Sequence, residues 1–446
     1  MIIMKSTIAQ ISTPIAMGGI SVIKMSGKDS LAIARKIFRF KNKQSEIEPR
    51  HMYFGSISYH DFTEQCLMVY FKAPFSYTGE DVVEFQCHGG ELLTREILNA
   101  CLENGARLAE NGEFTKLAFI NGKISLDEAE SMIDMINATS NAELKASSRV
   151  FKGELYEKIS GMQERIKDAI VNLEVAIDYP EHDDETKGTE YLEEVLTYCK
   201  NELLKLKATA SDGAIIKSGI NVAIVGKPNV GKSSILNALI GSNRAIVTSI
   251  KGTTRDTIEE SITHNGFKIN FMDTAGIHES DDEVEKIGIE RAKESIERAD
   301  IVLAIFDASE KLDDEDKKIL SILKNKLSLN IINKIDISKN NTGVEGIEIS
   351  ALNKKNIDNL KDLILNTAIN HKIDFSGLII TNARHIEAIN EALEKIEFVL
   401  KECKFQTIDI LDMLTKEIWQ ILGKITGETE NEDIISGIFA KFCLGK

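Results

Sequence analysis

The nine residues Gly226-Lys227-Pro228-Asn229-Val230-Gly231-Lys232-Ser233-Ser234 stand between the apolar run Ile220 to Val225 and the helix-like run Ile235 to Ile240. That order predicts strand, loop and helix, and it leaves few folds open, because the loop has to leave the end of a strand and start a helix at once. A loop of this composition turns several backbone N–H groups inward, offers a lysine to the β and γ oxygens of a nucleoside triphosphate, and offers a hydroxyl to magnesium. Asn229, Val230, Gly231, Lys232, Ser233 and Ser234 are therefore candidate nucleotide contacts, with Ser233 as a candidate Mg2+ ligand.

The base follows from Asn333-Lys334-Ile335-Asp336, which closes the strand-like run Leu329 to Ile332. A carboxylate only accepts hydrogen bonds. Guanine presents two adjacent donors, at ring N1 and the exocyclic amine, whereas adenine would turn a ring lone pair toward Asp336 and leave the acid unpaired. A site built on such bonds rejects the analogue lacking them by roughly 10⁴-fold or more in favourable cases. Asn333, Lys334 and Asp336 thus point to GTP, and Ser350-Ala351, after the apolar run Ile347 to Ile349, fits a loop supporting the base from its other side.

Between the two loops lie candidate switch elements. Gly252-Thr253-Thr254-Arg255-Asp256 supplies Thr254 to close over Mg2+, and Asp273-Thr274-Ala275-Gly276 ends the strand-like run Lys268 to Met272. Asp273 offers a carboxylate to the metal's water shell and Gly276 an N–H to the γ-phosphate. Where Ras-like proteins place a glutamine to orient the attacking water, this chain has Ile277, which cannot hydrogen-bond. Another group must do that work, and the acidic run Glu279, Asp281, Asp282, Glu283 and Glu285 is the obvious reservoir.

At 446 residues the chain predicts two or three domains. A formal charge of −16 speaks against a general nucleic-acid coat. Residues 1–50, however, carry nine Lys or Arg against three acids, so a phosphate-rich partner would meet that region or another local patch. Cys66, Cys87, Cys101, Cys199, Cys403 and Cys443 show no disulfide or metal-ligand spacing, which suits reduced thiols in the cytoplasm. No apolar run of about 18 residues and no signal peptide is present, so the expectation is a cytoplasmic protein with no membrane span.

The organisation reads as a GTPase module inserted into something else. Residues 1 to about 120 alternate β-like runs (Ile20 to Met25, Leu67 to Phe71, Val82 to Cys87) with helical runs (Leu31 to Phe38, Glu91 to Asn104), an α+β pattern. From about Ser125 to Ala210 apolar residues recur at helical spacing, as in Ile159, Met162, Ile166, Ile170, Leu173, Val175 and Ile177. After the GTPase block the pattern returns through Ile386, Ile389, Leu393, Ile396, Val399 and Leu400, and the two helical stretches are expected to pack together.

Outside the GTPase block the motifs are Thr7-Ile8-Ala9-Gln10 with Gly18-Gly19, Ser76 to Glu84 (Ser-Tyr-Thr-Gly-Glu-Asp-Val-Val-Glu), and Cys87-His88-Gly89-Gly90. Further on come Gly112-Glu113-Phe114-Thr115, Ala118 to Lys123, Ala176-Ile177-Asp178-Tyr179-Pro180 and the terminal Phe442-Cys443-Leu444-Gly445-Lys446. On these segments the chain resembles, over essentially its full length, the MnmE (TrmE) family of tRNA modification GTPases. The resemblance implies a multidomain α/β and α fold. Residues 1–121 would form an α+β tetrahydrofolate-binding and dimerisation domain, 122–214 and 373–446 a split helical domain, and 215–372 an inserted Ras-like P-loop GTPase domain.

The resemblance also implies a potassium-activated GTPase that forms a homodimer. With a flavoprotein partner of the MnmG (GidA) family, in a heterotetramer-type complex, it would add an aminomethyl-type (carboxymethylaminomethyl) group to C5 of the wobble uridine of certain tRNAs. FAD would enter through the partner only, and 5-formyltetrahydrofolate or a related one-carbon folate would meet Lys24, Glu84, Lys123 and Lys446. One acid for the pterin and several lysines for the glutamate tail or ring carbonyl are complementary to such a ligand. The family usually has arginine where this chain has Lys24, proline where it has Asn111 and isoleucine where it has Leu444; lysine cannot reproduce a planar bidentate fork.

By the same resemblance a K+ ion is held by Asn229, Thr248, Ile250 and Thr253, where it offsets charge developing between the β and γ phosphates. Ser249 and Gly252 join the nucleotide contacts, and Glu285 orients water in place of the missing glutamine. Cys443 lies four residues from the end, but Gly445, Lys446 and the lack of a polybasic stretch argue against a prenylation box. Its thiol is instead a candidate nucleophile in the one-carbon chemistry, or a seat for the terminal lysine. Alternatives of another class are a ribosome-assembly GTPase acting as a timer and a regulatory switch that recruits a protein partner. Folate binding and a wobble-uridine modification separate these from the enzyme.

Overall fold

The structure, a computed structural model, describes residues 6–42, 46–179, 185–241, 258–272, 294–337, 343–369, 373–442 and 445. It divides into two compact units, one formed by 1–133, 150–196 and 394–446, the other by 134–149 and 197–393.

The first unit is built on strands β1 (Ile8–Ile11), β2 (Ser21–Ser26), β3 (Phe38–Phe40), β4 (Met52–Tyr59), β5 (Phe62–Phe71), β6 (Val82–Cys87) and β7 (Arg107–Leu108). They pair in the order β3-β4-β5-β6-β2-β1-β7, antiparallel except for the parallel β1–β7 contact. Period-two burial shows why: β4 turns Tyr53, Gly55, Ile57 and Tyr59 inward and leaves Met52 and Phe54 outside. Gly55 is required, since a Cβ there would run into the Arg39 carbonyl and the Phe38 ring. Helices α1 (Ser30–Ile37) and α2 (Glu91–Glu103) cover the inner face, and Ile33, Ile97 and Cys101 share one core with Ile23, Met25, Ile57, Met68 and Phe85. The helical run expected through Phe38 stops one residue earlier, because Phe38 turns extended and starts β3.

Helices α3 (Glu113–Ile120), α4 (Leu126–Asn137), α5 (Asn141–Phe151), α6 (Glu154–Asp178), α7 (Glu185–Ala208) and α8 (Ala210–Ser218) follow. In α6, Ile159, Met162, Ile166, Ile170 and Leu173 are buried as the stripe requires, but Val175 and Ile177 are exposed. The correction follows from 3.6-residue geometry: after Leu173 the inward position is Ala176, which is buried. Two helical stretches do meet, since Gln163 of α6 donates to the Trp419 carbonyl and Lys416 pairs with Glu174. Trp419 and Lys416 lie on the helix Ile408–Thr426 near the carboxyl end of the chain.

The second unit holds β8 (Ile220–Gly226), β9 (Ile258–His264), β10 (Phe267–Met272), β11 (Ile301–Asp307), β12 (Ser328–Asn333) and β13 (Ile347–Glu348), with α9 (Lys232–Ile240), α10 (Asp314–Ile322) and α11 (Ile357–Ala368). The order is β13-β12-β11-β8-β10-β9, parallel apart from the antiparallel β9–β10 edge. β11 is buried at all seven positions, as a central parallel strand covered on both faces should be. Ile301, Leu303 and Ile305 join one core with Leu239 and Leu360, while Val302, Ala304 and Phe306 join the other with Ile296 and Leu323.

Cys66, Cys87, Cys101, Cys199 and Cys403 are buried and form no disulfide, and burial pushes Cys66 and Cys101 up to about 12 and Cys87 and Cys403 up to about 11. Among the described residues no cluster of His, Cys, Asp or Glu could hold a metal ion, and no helix is long and apolar enough to cross a membrane.

Candidate functional site

The loop after β8 leaves the sheet at its carboxyl edge, the position where ligands bind in open α/β sheets. Two residues take left-handed backbone to make the turn, Asn229 with φ 62° and Gly231 with φ 99°. Val230 between them is buried and anchors the loop from below. α9 then opens at Lys232, with Ser233 and Ser234 exposed in its first turn, so unpaired N–H groups and the positive end of the helix dipole collect at one place. The Lys232 ammonium donates to the carbonyls of Gly226 at 2.8 Å and Lys227 at 2.9 Å, which folds its chain back along the loop. The arrangement offers an anion of several charges a helix end and a held cation.

The rest of the loop is tethered by a network that motif spacing does not reveal. Lys227 reaches Asp313 at 2.7 Å and Asp316 at 2.9 Å, with Glu310 at 3.7 Å. Asp313 caps α10 by accepting from the N–H groups of Glu315 and Asp316, and Asp316 returns a bond to the Asp313 N–H. The Lys227 ammonium holds the Asp313 carboxyl down at about 2, and the two carboxylates raise Lys227 in turn.

The base loop is tied to the phosphate loop by a buried amide. Asn333, 2 % exposed, donates from Nδ2 to the Val230 carbonyl at 3.0 Å and accepts the Ala351 N–H on Oδ1 at 3.1 Å. Asp336 accepts the Ser350 hydroxyl on Oδ1, which orients the carboxylate through one oxygen. Lys334, left-handed with φ 66°, pairs with Asp307 at 2.6 Å. Asn229 to Ser234, Asn333, Lys334, Asp336, Ser350 and Ala351 are therefore brought together as one cradle. Thr248, Ser249, Ile250, Gly252, Thr253, Thr254, Asp273, Thr274, Ala275, Gly276, Ile277 and Glu285 lie outside the described residues.

A second constellation sits in the seven-stranded sheet. Lys24 on β2 and Glu84 on β6 are register partners and form an ion pair at 3.5 Å. The Lys24 ammonium stands 5.4 Å from the Tyr77 ring centroid and 5.7 Å from that of Phe114. Tyr77 is fixed by a 2.9 Å bond to Thr115, and burial pushes its hydroxyl up. Lys123 runs over Gly79, where an added Cβ would lie 3.1 Å from its Cε, and Asn121 donates to the Thr78 carbonyl at 2.7 Å. The terminal segment reaches the same sheet: the Ser12 hydroxyl donates to the Gly445 carbonyl at 3.1 Å. Cys443 and Lys446 lie outside the described residues. Lys24 and Glu84 thus stand beside two rings that the sequence marks only as parts of motifs, Tyr77, which is partly exposed, and Phe114, which is fully buried beneath them, while Lys123 lies against Gly79 of the Tyr77 loop.

Comparison with known proteins places the chain in a family. The family model for the GTP-binding protein TrmE N-terminus matches residues 7–123, and that for the MnmE helical domain matches residues 126–443. The tRNA modification GTPase MnmE of Clostridioides difficile (strain 630) is 40 % identical over 99 % of both chains. That of Finegoldia magna is 40 % identical over 99 % of this chain and 100 % of its own. Among solved structures, a variant of Era from Aquifex aeolicus bound to GDP and aluminium fluoride is 32 % identical over 39 % of this chain and 66 % of that chain, with a TM-score of 0.28. With full-length identity at this level and both family models matched in order, the chain belongs to the MnmE (TrmE) family of tRNA modification GTPases.

Proposed function

We propose that this chain is a potassium-activated GTPase that works as a cytoplasmic homodimer. With a flavoprotein of the MnmG (GidA) family it adds a carboxymethylaminomethyl-type group to C5 of the wobble uridine, position 34, of certain tRNAs. The observation that carries the nucleotide part is the buried Asn333 amide, which joins the phosphate loop at Val230 to the base loop at Ala351 and so sets a fixed span between phosphate and base contacts. Asp336 has one oxygen engaged by Ser350, and the carboxylate is left to accept the paired donors of guanine.

Lys232 exchanges its two loop carbonyls for β and γ phosphate oxygens, and the first-turn N–H groups of α9 orient the triphosphate. The exposed Ser233 hydroxyl is the hard oxygen ligand that Mg2+ takes, and the left-handed, exposed Asn229 carries an amide oxygen of the kind that suits a monovalent cation. Mg2+ and K+, when bound, would supply positive charge that offsets the charge developing on the phosphates. Thr254 would complete the Mg2+ set, Thr248, Ile250 and Thr253 the K+ set, and Glu285 would position the attacking water.

For the folate the fit rests on the Lys24–Glu84 pair beside the partly exposed Tyr77 ring, a charged pair next to one flat aromatic face that suits a pterin. Lys123 and Lys446 would meet the glutamate tail, and Cys443 would stand near the one-carbon group. Residues 1–121 then serve folate and dimer contacts, 215–372 the nucleotide, and 122–214 with 373–446 the helical link.

The test is turnover of GTP in KCl and in NaCl, with and without the flavoprotein, while modified uridine is read from tRNA. Faster turnover in KCl and modification only with both proteins and folate present is the expected result. Equal rates in both salts refute the potassium role, and unmodified tRNA with all components present refutes the reaction.

A further inference from the structure

We propose that Asp307 is a positioning residue for guanine-nucleotide binding, acting with Ser309 to hold Lys334 and the start of the base loop. The inference deepens the GTP reading of the same site and rests on it. β11 gives six of its seven residues to the two cores, and the seventh is an acid, Asp307, whose side chain is 7 % exposed. A carboxylate removed from water at a strand end is costly unless every partner is in place. Here they are. Oδ1 accepts the Ser309 N–H at 2.9 Å and its hydroxyl at 2.6 Å, which fixes the turn, while Oδ2 takes the Lys334 ammonium at 2.6 Å.

Strand register makes the contact compulsory. Asp307 lies opposite Asn333, and the Ala308 N–H donates to the Asn333 carbonyl at 2.8 Å, so residues 307–309 grip the base loop by backbone and by charge. Lys334 is left-handed, a conformation that a lysine keeps only where its surroundings over-determine it. The side chain of Asn333 is already fixed at both ends, so the Asp307 contact locks the next residue as well. Asp336, two residues further on, is thereby delivered to Ser350 in one orientation. Asp307 acts through Lys334 and not on base or phosphate directly.

The experiment measures binding of a fluorescent GDP and steady-state GTP hydrolysis for the full chain, Asp307→Asn, Lys334→Met and the double variant, with melting curves for each. Loss of a buried charge-assisted bond predicts that Asp307→Asn raises Kd for GDP and KM for GTP by about 10- to 100-fold, with kcat kept within about threefold. The double variant should lose no more than the worse single variant, because one interaction is removed either way. Additive losses, or a binding constant for Asp307→Asn within about twofold of the full chain, overturn the inference while leaving the GTP reading intact. A full chain that binds no guanine nucleotide overturns both. If Asp307→Asn does not fold, Ser309→Ala is read in its place, with an expected loss of about 3- to 10-fold and an unchanged constant as the refuting result.

Discussion

Gly231→Ala probes the joint between the two nucleotide loops. An alanine Cβ at this position falls well inside the 3.0 Å that real Cβ atoms essentially never breach, against Nδ2 of Asn333. That amide cannot step aside freely, since it bonds Val230 at 3.0 Å and Ala351 at 3.1 Å and is 2 % exposed. Displacing it leaves a buried donor and a buried carbonyl unsatisfied, at a cost of about 1–3 kcal/mol. A φ of 99° adds about 1–2 kcal/mol for any residue with a Cβ. Together these reach about 2–5 kcal/mol, a large part of the roughly 5–15 kcal/mol that holds a domain folded. Scanning calorimetry should show the transition of the nucleotide unit lowered by roughly 5–15 °C, and GDP binding weakened at temperatures where the variant is still folded. A melting temperature within about 1 °C of the parent together with unaltered GDP affinity would refute the idea that Asn333 bridges the loops.

Two further outcomes follow from single contacts. Asp336→Asn replaces a pure acceptor by a group that also donates, so GTP turnover should fall while hydrolysis of a xanthine nucleotide, whose ring offers the matching acceptor, should rise; a competition assay showing undiminished preference for GTP would contradict the base assignment. In the first unit, burial pushes the Glu113 carboxyl up, but Arg107 and the Glu110 N–H outweigh it and leave the group below its usual range. The folded value is thus depressed, so the stabilisation is present above the unfolded value of about 4.3 and is lost as pH falls through the folded value. Melting curves of Glu113→Gln should therefore lie below those of the parent at pH 7 and converge with them only once the pH has fallen through the depressed folded value, and a gap that persists after the carboxyl is protonated would count against the ion pair.

The nucleotide loops were legible because their chemistry is local. Asn229 and Gly231 sit at the positions that need left-handed backbone, and Lys232 and Ser233 open the helix that the apolar run Ile235 to Ile240 announces. The β-like runs of the first unit were legible for a related reason, since alternate burial writes itself into alternate residues, as in Val82 to Cys87. The α6 stripe failed at Val175 and Ile177 because small residues such as Ala176 carry the inward position near the end of the helix, and an apolar count overlooks them. The Tyr77 and Phe114 rings beside Lys24, and the acids around Lys227, were not legible, because each contact joins residues far apart in the chain. Asp307 had a faint signal: an acid closing a fully apolar run at the carboxyl end of a strand in a parallel sheet.

By itself the amino-acid order determined which groups are on offer: a lysine and hydroxyls at a helix start, a pure acceptor at Asp336, and Glu84 with Lys24 and Lys123 in the motifs outside the GTPase block. Backbone conformation over a few residues suffices for that, and it depends on neighbours in the chain. Only the tertiary structure decided how those groups are held. Lys334 finds Asp307, Lys227 finds Asp313 and Asp316, and Asn333 spans from Val230 to Ala351 through strand register and helix placement. The physical reason is that pairing a buried charge or amide is a long-range condition, met by elements that pack beside one another and invisible in the spacing of any one of them.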